Sequence, residues 1–132
     1  MSTEEGALDI LLVDDNPLMQ QLMGRFLSDL GYGVTVVGRA DDAIRVAQQE
    51  SPSLLIIDLR LPDRDGPDAL VALRALPGCA NVPAIAISGM DESSMHHSLQ
   101  YGFNEYLIKP VDLDRFESVI AQYVGKRQQR GV

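Results

Sequence analysis

The chain has 132 residues, 45% of them hydrophobic, and a formal net charge of −8 at pH 7. These values are typical of one globular domain with its own core, and the sequence predicts neither a membrane-spanning segment nor a secretory signal peptide. The acidic balance argues against direct nucleic-acid binding, which needs lysine and arginine to neutralise phosphates, and the single cysteine, Cys79, predicts a reducing, cytoplasmic location.

Short apolar runs alternate with helical patterns along the chain. Residues 8–13 predict a strand covered on both faces, after which Asn16-Pro17 opens a helix that Gly31 ends. Four more strand–helix pairs are predicted, over residues 34–37 and 41–49, 54–57 and 67–76, 84–87 and 91–101, and 105–108 and 112–124. The alternation predicts a single α/β domain, residues 1–124, with a five-stranded parallel sheet doubly wound by helices. Residues 125–132 are expected to be a tail or the stump of a linker.

The apolar spacing within each predicted helix indicates its buried face. The residues expected to face the sheet are Leu18, Leu22, Phe26 and Leu30 in the first helix, Ala43, Ile44 and Ala47 in the second, Leu70, Leu73 and Leu76 in the third, and Leu113, Phe116, Ile120 and Val124 in the fifth. The fourth predicted helix has a thin apolar stripe, mainly Met95 and Leu99, and is therefore expected to be the mobile element.

Reactive side chains stand at the carboxyl ends of four predicted strands. Asp14 and Asp15 follow the first strand, Asp58 the third, Ser88 the fourth and Lys109 the fifth. Such strand ends gather around one crevice in a parallel sheet. Clustered carboxylates repel one another unless a divalent cation joins them, and Mg²⁺ prefers oxygen ligands. Each residue alone also fits a turn, a cap or a solvated strand end, but their joint placement predicts a magnesium-dependent phosphoryl site.

Several motifs carry a resemblance to a known family. They are Leu11-Leu12-Val13-Asp14-Asp15-Asn16, Asp58-Leu59-Arg60-Leu61-Pro62 with Asp65-Gly66, Ser88-Gly89, and Tyr106-Leu107-Ile108-Lys109-Pro110. Together they resemble the receiver domain of bacterial two-component response regulators, of the chemotaxis-regulator type, over about residues 9–123. The resemblance implies a flavodoxin-like (βα)5 fold and a role in phosphorelay signalling.

The resemblance also implies roles for individual residues. Asp58 would accept a phosphoryl group from a phosphohistidine on a sensor histidine kinase or a histidine phosphotransfer protein. Mg²⁺, or Mn²⁺, would be bound by Asp15, Asp14, Asp58 and the backbone carbonyl of Arg60. Lys109 would bind the phosphoryl group, Ser88 and Tyr106 would form the switch, and Lys109-Pro110 would be a cis peptide. The chain would be no enzyme beyond its own phosphorylation and dephosphorylation.

The resemblance leaves partners and one residue open. The fourth helix, fifth strand and fifth helix would form the surface for a downstream protein, and we expect no contact with membrane or nucleic acid. Arg60 is a long cation where the family often has smaller residues. It either faces solvent or pairs with the acidic pocket or the phosphoryl group and alters the lifetime of the phosphate. The sequence does not distinguish a stand-alone regulator from part of a longer protein.

Other functions also fit parts of this pattern. A phosphatase of the haloacid dehalogenase type also uses an aspartate after a strand, but it needs a second acid two residues on, where this chain has Arg60. A receiver-like module that binds partners without being phosphorylated would not need the full acid set, Ser88 and Lys109. A flavin binder fits on fold grounds alone.

Overall fold

The structure is a computed structural model that describes residues 8–89 and 101–125. In chain order these residues form β1 (Ile10–Val13), α1 (Pro17–Asp29), β2 (Val34–Val37), α2 (Ala40–Gln49), β3 (Leu54–Asp58), α3 (Gly66–Arg74), β4 (Ala84–Ser88), β5 (Glu105–Ile108) and α4 (Leu113–Val124). Helix α4 is therefore the fifth helix of the sequence prediction. The fourth predicted helix, apart from its last residue Tyr101, lies outside the described residues.

The strands form one parallel sheet in the order β2-β1-β3-β4-β5. Val13 of β1 lies opposite Val37 of β2 and Ile57 of β3, so the three strands end at the same level. On the other side of β3, Asp58 lies opposite Ile87 and Ser88 lies opposite Ile108. The predicted α/β fold with a five-stranded parallel sheet is confirmed, and the carboxyl ends of its strands share one edge.

Helices cover both faces of this sheet. Leu11 and Val13 of β1 belong to a core cluster with α2 and α3, whereas Ile10 and Leu12 belong to a second cluster with α1 and α4. Successive strand residues point to opposite faces, so the nearly continuous apolar strands supply both cores. Cys79 is buried in the α2/α3 cluster, where it acts as a small apolar filler.

The predicted buried face of α1 is wrong in its first half. Leu18 is 71% exposed and Leu22 is 48% exposed, whereas Met23 and Leu27 are fully buried. Phe26 and Leu30, also predicted to face inward, are partly buried against the same cluster. In the other helices the predicted inward residues all lie in or against a core cluster. The first helix carries two apolar stripes, and the sequence pattern favoured the one that faces solvent.

Where element boundaries differ from the prediction, they differ by one or two residues. β1 begins at Ile10 rather than at residue 8, because Asp9 uses its carbonyl oxygen to accept N–H groups from Ser53 and Leu54 and its carboxylate to accept the N–H of Gly33. α3 ends at Arg74 instead of continuing to residue 76. Within residues 8–89 and 101–125, none of the helices has the length and apolar character that crossing a bilayer requires.

Candidate functional site

Three carboxylates meet at the carboxyl edge of the sheet. β1 and β3 are hydrogen-bonded neighbours that end side by side, so Asp14, directly after β1, comes close to Asp58, the last residue of β3. One oxygen each of Asp14, Asp15 and Asp58 lies within 4.8 Å of the others. Asp14 and Asp58 are buried, and Asp15 is exposed. The sequence-predicted acids are thus brought together.

The chain turns sharply after the first two acids, which lets both of them face the cluster. Asn16 caps α1 by accepting the N–H groups of Leu18 and Met19 with its side chain. Its own N–H donates to Asp14 Oδ1 at 2.9 Å. Gln20, one turn into the helix, donates its amide to the backbone carbonyl of Asp14 at 2.6 Å. Sequence reasoning missed Gln20, since nothing in a helix pattern marks a side chain that reaches back to the preceding loop.

The side chain of Lys109, directly after the edge strand β5, extends to the acids. Its ammonium lies 2.8 Å from Asp58 Oδ2 and 3.3 Å from Asp14 Oδ2. Its backbone N–H donates to the carbonyl of Ser88 at 2.9 Å, and its peptide bond to Pro110 is cis. Burial lowers the pKa of Lys109, but the hydrogen bond and charge of Asp58 and the charge of Asp14 outweigh burial and raise it. Lys109 therefore stays positively charged next to the acids.

Asp14 is a carboxylate of the acid cluster whose surroundings disfavour its ionised form, so its pKa is raised. Burial raises its pKa; the N–H of Asn16 and the charge of Lys109 pull the pKa down, while the charge of Asp58 raises it further. Asp14 Oδ2 is buried, and no donor in the described part of the chain meets it in hydrogen-bond geometry, so its 3.3 Å approach to Lys109 is an ion pair. A buried carboxylate oxygen without a donor, facing two other carboxylates, fits a ligand of a hard divalent cation.

The remaining predicted residues lie in or just after strands β3, β4 and β5. Ser88 is buried at the end of β4, between the strand of Asp58 and the strand that leads to Lys109. Tyr106 lies opposite Ala86 and is buried in the α2/α3 cluster. The N–H of Arg60 donates to Asp58 Oδ1 at 2.9 Å. The side chain of Arg60 is exposed and forms no salt bridge with the acids of residues 8–89 and 101–125.

Comparison with known proteins places this arrangement in a family. The chain belongs to the response regulator receiver domain family, whose model matches residues 10–121. Receiver domains are the signalling modules of two-component phosphorelays, and this chain is a receiver domain of that kind.

Two curated relatives show the range of proteins that contain such a domain. An uncharacterized 14.6 kDa protein of Leptolyngbya boryana is 38% identical over 117 residues, which are 88% of this chain and 89% of that protein. The signal transduction histidine-protein kinase BarA of Escherichia coli is 29% identical over 118 residues, which are 89% of this chain but 13% of the kinase. The chain thus spans most of one relative and a small part of the other.

Solved structures agree with the fold. The receiver domain of the sensor histidine kinase PA1611 from Pseudomonas aeruginosa, crystallised with a magnesium ion coordinated in the active-site cleft, is 33% identical with a TM-score of 0.82 and covers 91% of this chain and 99% of that one. The chemotaxis protein CheY4 of Vibrio cholerae also has a TM-score of 0.82 at 20% identity, covering 89% of this chain and 98% of its own. The second similarity concerns the fold alone.

Proposed function

We propose that Asp58 accepts a phosphoryl group from a phosphohistidine on a sensor histidine kinase or a histidine phosphotransfer protein. The observation that carries this proposal is the meeting of three carboxylates, from Asp14, Asp15 and Asp58, within 4.8 Å of one another next to the ammonium of Lys109. Asp58 is the acid that faces both the ammonium and the loop after β3. It is buried with one oxygen at 2.8 Å from Lys109 Nζ.

The chemistry follows from the carboxylate of Asp58 as nucleophile. One of its oxygens attacks phosphorus while the bond from phosphorus to the histidine nitrogen breaks. The nitrogen keeps that electron pair and takes up a proton, and the product is an aspartyl phosphate. Attack of water on phosphorus later returns the carboxylate and releases inorganic phosphate. Lys109 binds a phosphoryl oxygen as a point charge. In this proposal the chain catalyses its own phosphorylation and dephosphorylation and turns over no separate substrate.

The acids are proposed to hold Mg²⁺, with Mn²⁺ as an alternative. The ligands would be carboxylate oxygens of Asp15, Asp14 and Asp58 and the backbone carbonyl of Arg60. The ion supplies positive charge that offsets the phosphoryl oxygens during transfer. Support comes from the buried oxygen of Asp14, which accepts no hydrogen bond from residues 8–89 and 101–125, and from the magnesium ion in the cleft of the PA1611 receiver domain.

Ser88 and Tyr106 are proposed to form the switch. Ser88 would donate its hydroxyl to a phosphoryl oxygen on Asp58, and this movement would open space into which the ring of Tyr106 turns. Phosphorylation then shifts an equilibrium between two existing arrangements, since the phosphoryl oxygens interact better with one of them. The burial of both side chains supports a packed, two-state change rather than a free rotation.

Two further functions are proposed on the same basis. The surface formed by β5 and α4, with the predicted fourth helix that lies outside the described residues, would bind a downstream protein, and Ile108, which is 48% exposed, gives β5 an apolar contact. Arg60 would alter the lifetime of the phosphate from its exposed position at the loop after Asp58. The dephosphorylation rate of Arg60→Ala tests this role, and an unchanged rate would reject it.

A cytoplasmic location and a tail beyond residue 124 stay predictions.

Phosphorylation of the purified chain tests the central proposal. Incubation with Mg²⁺ and acetyl phosphate is expected to add the mass of one phosphoryl group to the parent and none to Asp58→Asn, which keeps the size of the side chain but loses the nucleophile. Beryllofluoride with Mg²⁺ should change the NMR spectrum of the parent alone. No response in either assay would favour a receiver-like binding module without phosphorylation, and turnover of a phosphate ester would favour a phosphatase.

A further inference from the structure

The first turn of α2 is capped by a residue from a distant loop. The helix begins after Arg39, whose side chain makes no capping hydrogen bond. Asp63, in the loop after β3, accepts the N–H of Ala40 with Oδ1 and the N–H of Asp41 with Oδ2, each at 2.9 Å. A helix leaves its first N–H groups without intrahelical partners. Asp63 therefore supplies a cap that the sequence next to α2 lacks.

A salt bridge strengthens the same connection. Arg64, the next residue of the loop, places Nη2 2.8 Å from Asp41 Oδ1. The two loop residues thus hold the start of α2 by three contacts in a row, two with its backbone and one with its side chain.

The loop that carries Asp63 follows Asp58 directly, and a hydrogen bond joins the two ends of the loop. Gly66 donates its N–H to the carbonyl of Leu59 at 2.9 Å, and a Cβ at Gly66 would lie only 2.8 Å from Leu59 Cα. Near its origin the N–H of Arg60 donates to Asp58 Oδ1. A loop closed this tightly moves as one piece, so the position of its tip, Asp63, is coupled to that of Asp58.

The segment that leads into α2 lies next to the loop of the first two acids. A Cβ added to Gly38, two residues before α2, would be in ordinary van der Waals contact with that loop, 3.7 Å from Asp15 Cα and 3.8 Å from the carbonyl oxygen of Asp14, and would lie 3.2 Å from Gln20 Nε2. The N–H of Asp14 also donates to the carbonyl of Val37 at 3.0 Å. The segment from β2 into α2 is thus hydrogen-bonded to Asp14 at Val37, and the first turn of α2 is connected through Asp63 to the loop that follows Asp58.

We propose that Asp63 is a positioning residue for divalent cation binding, which fixes the spacing between the Asp14–Asp15 pair and Asp58 through the first turn of α2. The inference rests on the proposed function in one respect, that a cation binds between these acids. Removing the contact lets the loop after β3 shift relative to the loop after β1, so the three carboxylates hold a cation less tightly. Asp63 itself binds neither the cation nor the phosphoryl group.

Titration of the full chain with Mg²⁺ alone, followed by ¹⁵N NMR, tests this role. Asp63→Ala is expected to weaken Mg²⁺ binding by about tenfold, the lower end of the range for residues that orient metal ligands. Asp63→Asn keeps one acceptor oxygen and should lie between Asp63→Ala and the parent. Asp68→Asn removes a charge from the exposed first turn of α3 and should change the affinity by no more than about twofold, as a purely electrostatic effect does in salt.

The Mg²⁺ response of individual amide resonances distinguishes a positioning role of Asp63 from an effect of its charge. In the parent, the amide resonances of Ala40 and Asp41 should shift with the same Mg²⁺ dependence as those next to Asp58, and in Asp63→Ala that response should disappear. Equal Mg²⁺ affinity in Asp63→Ala and Asp68→Asn, or amides at α2 that ignore Mg²⁺ while those near Asp58 respond, would overturn the positioning role and leave the proposed function intact. A parent chain whose acid loops ignore Mg²⁺ would overturn both.

Discussion

The charges of individual residues at the acid cluster do not balance. Lys109 is paired with both Asp58 and Asp14, and Asp15 adds another carboxylate to the same cluster. One ammonium leaves an excess of negative charge, and the buried position of Asp14 raises its pKa. Groups that are costly for the fold and clustered in a cleft are typical of binding sites. The excess negative charge therefore lowers the stability of the fold, and it would favour the binding of the proposed cation.

Replacing Asp14 with asparagine is expected to stabilise the chain in the absence of divalent cations. The folded state holds the proton of Asp14 more tightly than the unfolded chain does, so ionisation costs stability, and the cost is present at every pH above the raised pKa. Asparagine keeps an oxygen for the N–H of Asn16 and removes the charge. At pH 7 in EDTA, urea denaturation should give a free energy of unfolding higher by about 1 kcal/mol.

The exposed Asp68 offers a control for the Asp14 variant. Asp68→Asn makes the same chemical change outside the cluster and should alter the free energy of unfolding by less than about 0.5 kcal/mol. A loss of stability in Asp14→Asn, with Asp68→Asn unchanged, would mean that the Asp14–Lys109 ion pair outweighs the burial of the carboxylate.

Among the elements, α1 shows most clearly where sequence patterns stop being informative. Leu18 and Leu22 extend an apolar row at a spacing of four residues, and Met23 and Leu27 form another on the adjoining face. Both rows have helical periodicity, so the sequence identifies a helix without identifying its buried side. The orientation is decided by contacts with distant residues, such as the ring of Phe116 that stacks on Phe26 at 6.0 Å between centroids.

A matched pair of leucines tests the observed orientation of α1. Leu27 is fully buried and Leu18 is 71% exposed, although the sequence prediction places Leu18 inside. Leu27→Ala leaves a cavity and should lower the free energy of unfolding by about 3 kcal/mol, whereas Leu18→Ala should change it by less than about 0.5 kcal/mol. Chemical denaturation of the two variants measures both values. Equal losses, or a larger loss at Leu18, would contradict the orientation.

The cap of α2 makes the stability of this helix depend on pH. Burial raises the pKa of Asp63, but the N–H groups of Ala40 and Asp41 and the charge of Arg39 together outweigh burial and lower the pKa. Because the folded state favours the ionised form, the cap stabilises fully above the unfolded-state pKa and loses its effect as the pH falls through the lowered folded-state pKa. The helix start is thus predicted to weaken in acid.

Comparing Asp63→Ala with the parent across pH tests this dependence. At pH 6 to 8, where both pKa values lie well below the pH, the variant should be less stable by about 1 kcal/mol, the usual contribution of a helix cap. As the pH falls below the ordinary pKa of an aspartate, about 3.9, and through the lowered pKa of Asp63 in the folded state, the difference should shrink toward zero. Thermal or urea unfolding at a series of pH values measures it, with Asp68→Ala as a control for the loss of charge. A difference that stays constant into acid would show that Asp63 acts through packing instead.

For the whole molecule, the fold and the meeting of the acids could be predicted from the sequence. Alternating apolar runs and helices fix a parallel sheet, and a parallel sheet brings the ends of its strands to one edge, so Asp14 and Asp58 had to converge. Asp63 could not be found this way. A polar residue in a loop fits turn chemistry, and its hydrogen bonds reach amides 22 and 23 residues away. Local pattern carries no signal of such contacts.

The proposed cation site predicts that the stability of the whole chain depends on divalent cations. A ligand that binds the folded state alone stabilises it by RT ln(1 + [L]/Kd), about 2.7 kcal/mol when its concentration is 100 times Kd. We therefore expect Mg²⁺ to raise the free energy of unfolding of the parent progressively. Asp58→Asn, which lacks one of the three carboxylates, should gain much less.

Urea denaturation at several Mg²⁺ concentrations measures this stabilisation. Parallel samples in NaCl of matched ionic strength distinguish cation binding from general screening of the charges by salt. Equal stabilisation by NaCl and by Mg²⁺ would mean that the acids are relieved by salt in general, and that the folded chain has no specific cation site at this edge of the sheet.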